Sequence, residues 1–138
     1  LGERISTMLL LYLPEEKEAE KRLLKVARHA VPRQKIEICR SFQMLEERLR
    51  QPVFNISAVV LFVPTSEDLE GVLLFKESFW DLRIIIILPD AEQDTIKKAH
   101  SLRPRFVTWA DDDFTGVGII LKRMTERHDR TLYAETEN

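Results

Sequence analysis

Ala58-Val59-Val60-Leu61-Phe62-Val63 is an unbroken apolar run, closed by Pro64 and Thr65. A strand that is apolar on both faces must be covered on both faces, as in the parallel sheets of α/β proteins. The run lies near the middle of the chain and is expected at the middle of its sheet. In open parallel sheets, ligands and chemistry gather in the crevice beyond the carboxyl ends of the strands. At that place this strand presents Val63-Pro64-Thr65, with no carboxylate, thiol or base.

The rest of the chain alternates apolar runs with helical patterns. Strand one is expected over about Ile5–Leu13, ended by Pro14, and helix one over Glu15–Ala30, with Ala19, Leu23, Val26, Ala27 and Ala30 on one face. Lys35–Arg40 alternates polar and apolar residues, the pattern of a strand at an edge. Ser41 can cap a helix over Phe42–Gln51 whose stripe is Phe42, Leu45 and Leu49. After Pro64, Thr65-Ser66-Glu67-Asp68 has the shape of a capping box, and helix three is expected over Glu67–Ser78. Arg83–Leu88, with four isoleucines and a leucine in sequence, is strand four, ended by Pro89. Asp90 can cap helix four, with Gln93 at the reciprocal position and Thr95, Ile96, Ala99 and Leu102 facing inward. Arg105–Trp109 reads as a short strand five. Helix five is expected over Phe114–His128, on a stripe of Val117, Ile120, Leu121 and Met124.

Strands alternating with helices imply a doubly wound parallel sheet with right-handed crossovers, three layers α/β/α. The continuous runs one, three and four belong inside and the alternating runs two and five at the edges. The order 2-1-3-4-5 satisfies both. Residues 1–130 read as one domain and 131–138, which lack periodicity, as a C-terminal tail or linker. The chain opens at Leu1 without an initiator Met, as expected of a segment cut from something longer.

Charge narrows the function classes. With 21 basic and 23 acidic residues the net charge is −2, which argues against nucleic-acid or membrane binding driven by bulk electrostatics. No apolar run is long enough to span a bilayer, and Met8–Leu13 lacks the basic leader and cleavage site of a secretory signal. The single cysteine, Cys39, cannot form an internal disulfide and fits a reducing cytoplasm.

This order, length and spacing resemble a response-regulator receiver domain (CheY-like), over about Ile5 to His128. The nearest local likeness runs from Lys98-Ala99-His100-Ser101-Leu102 to Phe106-Val107-Thr108-Trp109. The resemblance implies bacterial two-component signal transduction. It also implies four functional positions: an acidic pair after strand one that holds Mg²⁺, a phospho-accepting Asp ending strand three, a Ser or Thr ending strand four, and a Lys followed by Pro ending strand five. Here those places read Leu13-Pro14-Glu15-Glu16, Val63 or Pro64, Leu88-Pro89 and Trp109-Ala110. Phosphoryl transfer to a carboxylate needs a nucleophilic oxygen, a divalent cation and a fixed positive charge. Val63, Pro64 and Trp109 supply none of them, so the likeness is to a degenerate pseudo-receiver. The expectation is a non-enzymatic module without cofactor or resident metal, acting through protein partners. A homodimer through helix four, strand five and helix five follows from the resemblance.

The alternative is a small-ligand or metal-binding sensor whose crevice is lined by Glu15, Glu16, Pro64, Thr65, Leu88, Pro89, Asp90 and Trp109. Glu15 and Glu16 also suit the first turn of a helix, where acids favour the dipole. Asp111-Asp112-Asp113 offers clustered carboxylates but equally a helix cap. Trp109 would fill the emptied pocket with an indole. His29, His100 and His128 fall on three different helices without ligand spacing, and Cys39 on an edge strand is expected to be an inert buried thiol. Phe75, Phe79 and Trp80 exceed what one helical stripe can bury and mark a candidate contact surface. No Walker loop, G-x-G-x-x-G, G-x-S-x-G or C-x-x-C is present.

Overall fold

The structure, a computed structural model, describes residues 7–136 and the side chains of residues 7–132. The expected start of strand one at Ile5 and the last two residues of the chain lie outside that range. The apolar runs form β1 (Met8–Tyr12), β2 (Lys35–Cys39), β3 (Ile56–Phe62), β4 (Ile84–Leu88) and β5 (Phe106–Trp109). All pair in parallel, in the order β2-β1-β3-β4-β5, so the order read from hydrophobicity is the observed one.

Alternation along each inner strand splits the core in two. Met8, Leu10 and Tyr12 of β1, Val59 and Leu61 of β3, and Ile84, Ile86 and Leu88 of β4 face one layer, continued by Val63 beyond β3. Leu9 and Leu11, Ala58, Val60 and Phe62, and Ile85 and Ile87 face the other. The first layer is closed by α2 (Phe42–Arg50), α3 (Ser66–Leu73) and α4 (Gln93–His100), and the second by α1 (Glu18–Ala30) and α5 (Thr115–Thr136). Gly118 is buried where α5 crosses α1, and a Cβ there would stand 3.2 Å from Val26. That first turn packs closely. No helix among the described residues is long and apolar enough to cross a membrane.

Two caps form as expected: the Ser41 and Thr65 hydroxyls accept from the amides of Met44 and Asp68. Four helix limits differ from expectation. α1 begins at Glu18, so Glu15 and Glu16 lie in the approach to it rather than in its first turn. α3 stops at Leu73 and a 3-10 turn, Lys76–Phe79, takes over, which buries Phe79 and half-buries Phe75 while leaving Trp80 exposed. Only Trp80 of that trio is therefore a surface group. α4 begins after Glu92, and Asp90 caps nothing in it; its Oδ1 instead accepts from the Glu92 amide at 3.0 Å, a turn that precedes the helix. α5 continues past His128 to Thr136, through residues read as tail, because Leu132 extends the buried stripe of Leu121 and Met124.

Candidate functional site

The parallel register brings five strand ends to one edge, and each is sealed differently. β1 ends on Tyr12, whose ring stacks on Phe42 of α2 at 5.4 Å between centroids. Its hydroxyl donates to Asp68 Oδ1 of α3 at 3.4 Å. Burial, and then the charge of Asp68, push this phenol up, so it stays protonated. Leu13 follows, 1% exposed, its amide held by the Cys39 carbonyl at 3.0 Å. β3 runs out through Val63, also 1% exposed, its amide bonded to the Ile87 carbonyl at 2.9 Å and its side chain within the core. Pro64 is half-buried and Thr65 is spent on the α3 cap, accepting from the Asp68 amide at 3.1 Å and donating to Asp68 Oδ2 at 2.8 Å.

At the far side Leu88 is wholly buried, and Pro89 and Asp90 form the rim. The Trp109 indole Nε1 donates to the Asp90 carbonyl oxygen at 2.7 Å. The side chain thus ties the end of β5 to the loop after β4. A groove remains there, lined by Pro89, Asp90, Ala91, Trp109, Ala110 and Asp111.

The acidic candidates do not converge. Glu15 is exposed and pairs with Lys17 at 3.0 Å; Glu16 is exposed and pairs with Arg40 at 2.9 Å. Asp112 accepts from the Thr108 hydroxyl at 2.6 Å and the Asp113 amide at 2.9 Å, while Asp113 accepts from the Thr115 amide at 2.9 Å. That last bond holds the Asp113 carboxyl below its usual range. Among the described residues no group of three His, Cys, Asp or Glu is placed to hold a metal ion. His29 and His100 are exposed, and His128 lies against Arg83. Cys39 is buried, and burial, then the Glu37 charge, push its thiol up to about 11.

Three residues missing from the sequence reading hold this edge together. Arg40, just past β2, donates from Nη1 to the carbonyls of Leu13 at 3.0 Å and Glu15 at 2.9 Å. Arg22 of α1 donates to the carbonyls of Ala110 at 2.7 Å and Asp112 at 3.1 Å, and lies over the Phe114 ring. Phe114 is fully buried with φ of 66°, a left-handed backbone that costs a bulky residue of order 1–3 kcal/mol. Glu20, buried in the first turn of α1, accepts from the Glu15 amide at 2.6 Å. The Arg40 and Arg22 contacts leave no local mark in sequence, because each links segments brought together only by the fold; that of Glu20 is local, five residues back. The edge offers fixed carbonyls and an indole, and β3 runs out through Val63 and Pro64, neither of which carries a carboxylate.

No family model matches the chain, and no curated protein sequence matches it. Solved structures do. A protein described as pilus assembly-related from Burkholderia pseudomallei is similar at a TM-score of 0.63 and 15% identity, over 91% of this chain and 94% of the other. A response regulator from Thermotoga maritima is similar at a TM-score of 0.63 and 15% identity, over 87% of this chain and 98% of the other. At that identity the likeness carries the architecture and nothing finer. The chain has a flavodoxin-like, receiver-like fold, shared along nearly its whole length with a response regulator.

Proposed function

We propose that the chain is a non-catalytic signal-transduction module, a pseudo-receiver that works by protein–protein contact without phosphorylation of an Asp. The supporting observation is Val63: where a receiver's acceptor carboxylate would end the central strand, a valine is packed into the core. Tyr12 and Leu13 at the end of β1 and Trp109 at the end of β5 fill the neighbouring positions with ring and aliphatic carbon. The single cysteine, Cys39, can form no internal disulfide, which suits the reducing cytoplasm in which such a module would act.

The test is exposure to acetyl phosphate with Mg²⁺ or Mn²⁺, read by intact mass and by Trp109 fluorescence in a Trp80→Phe background. Unchanged mass and no saturable fluorescence response are expected. A phosphoryl adduct, or a response abolished by Glu15→Ala, would overturn the proposal. For the partner, the face of α4, β5 and α5 is the homodimer surface that the receiver resemblance suggests. Sedimentation should show a dimer that Lys97→Glu on α4 weakens; a monomer at high concentration would exclude that interface.

A second reading, small-ligand sensing at the same edge, draws on the groove between the β4 and β5 ends, where Asp90, Asp111 and the Trp109 ring meet. A saturable Trp109 response to a small metabolite without any phosphodonor would favour it.

A further inference from the structure

At the opposite end of the sheet, away from the strand-end edge, arginines gather at the starts of β4 and β5. Arg83 directly precedes β4 and Arg105 directly precedes β5, so parallel pairing sets them at the amino ends of neighbouring strands. The Arg105 amide donates to the Ile84 carbonyl at 2.7 Å, which fixes that placement. α5 returns across these ends and brings Arg123 and Arg127, one turn apart on one face. The four arginines, with Ile120 and Met124 as an apolar floor, line a concavity of about 220 Å³.

No acidic side chain among the described residues lines it. Among the described residues none of the four guanidiniums takes part in an ion pair, although the whole protein carries a net charge of −2. Arg83 instead meets the His128 ring, Nη1 to Nδ1 at 3.3 Å. Burial, and secondarily the charges of Arg105 and Arg127, lower the Arg83 pKa. Clustering like charges opposes folding, so this arrangement does nothing for the fold by itself.

Guanidinium forks match the oxygens of phosphate bidentately, and a multiply charged phosphate would relieve the mutual repulsion. The concavity is smaller than the roughly 300–1,000 Å³ of sites for drug-sized ligands, which favours a small occupant. A long polyanion laid across α5 would meet Glu126 and Asp129, which border the adjacent groove with Pro32 and Arg33. We propose that Arg83, Arg105, Arg123 and Arg127 form a binding site for a small diphosphate-bearing compound. This site lies away from the strand-end edge on which the pseudo-receiver reading rests, although α5 and the start of β5 also belong to the homodimer face suggested above.

The experiment is thermal unfolding and calorimetry of the chain with inorganic pyrophosphate at constant ionic strength, against orthophosphate, sulfate, single-stranded DNA and an acidic peptide. Pyrophosphate should give a saturable rise in Tm and bind more tightly than any of the others. Arg105→Gln with Arg127→Gln should weaken it by roughly a hundredfold, about tenfold for each charged hydrogen-bonding group lost. Both side chains are exposed, so the variant is expected to fold. Arg105→Gln alone, without ligand, should raise Tm by relieving repulsion on Arg83. Each of four results would overturn the site: no saturable effect of pyrophosphate, an equal effect from added chloride, tighter binding of DNA or peptide, or full affinity in the double variant.

Discussion

Glu20 stands third in α1 and reaches back over the turn that precedes it, its carboxylate taking the Glu15 amide at 2.6 Å and also bonding the amide of Lys17, the residue before the helix. This is the acidic half of a capping box without its hydroxyl half. Burial raises the folded-state pKa above the ordinary 4.5, and the two backbone bonds only partly offset that. A raised pKa means that the fold favours the protonated acid. Its stabilisation is complete below the unfolded value and is lost as pH climbs through the raised folded value. Glu20→Gln, neutral throughout, should therefore gain on the wild type as pH rises through that window. Urea unfolding of both proteins between about pH 4 and pH 7 reads the difference directly, and parallel profiles would remove the assignment. The sequence did not disclose Glu20, because Glu15 and Glu16 precede it and match a first turn just as well. Trp109 was legible as an indole at the crevice, but not as a hydrogen-bond donor to Asp90. Trp109→Phe keeps the ring and drops that bond, with an expected loss of about 1 kcal/mol in urea unfolding.

Among the elements, the strands were the most legible, because a two-residue alternation and its absence report directly on burial. Helix limits were less so. The stripe of α5 is interrupted by Thr125 and His128, polar in type; yet Thr125 is buried and its hydroxyl bonds the Lys122 carbonyl at 3.1 Å within the helix. A buried threonine that satisfies itself in this way hides a helical face from any count of apolar residues. Arg48 is a similar case: it occupies an inward position of α2 and reaches Glu37 of β2 at 3.2 Å and the Pro52 carbonyl at 3.0 Å. The packing of α3 on α2 turns on Gly71, where an added Cβ would collide with the Phe42 ring that stacks on Tyr12. Alanine at a helical position ordinarily gains about 1 kcal/mol over glycine. Here the displaced ring should outweigh that gain, since overpacking costs typically 1–3 kcal/mol. Gly71→Ala is expected to lower stability and to change the near-ultraviolet circular dichroism of Tyr12; a stabilised protein with an unchanged spectrum would show that Phe42 yields freely.

Across the whole molecule, the strand-end edge is closed by several elements acting together, and that decides whether receiver chemistry could be installed there. Tyr12 and Leu13 come from β1, Val63 from β3 and Trp109 from β5, while Arg40 and Arg22 bind the surrounding loops through their carbonyls. A phosphoryl acceptor would need a carboxylate, a cation and a positive group converging at one point. Val63→Asp with Trp109→Lys supplies two of these in composition. The aspartate, however, would enter a position 1% exposed, beside aliphatic neighbours, with no acidic pair at the end of β1 to bring a cation to it. An uncompensated buried charge costs about 3–5 kcal/mol, and the lysine would also forfeit the bond to the Asp90 carbonyl. The double variant is therefore expected to be strongly destabilised in urea and to gain no phosphoryl mass from acetyl phosphate with Mg²⁺. If it instead folds with wild-type stability and takes up the phosphoryl group, the edge holds a latent receiver site, and the core position of Val63 is not what keeps the chain from that chemistry.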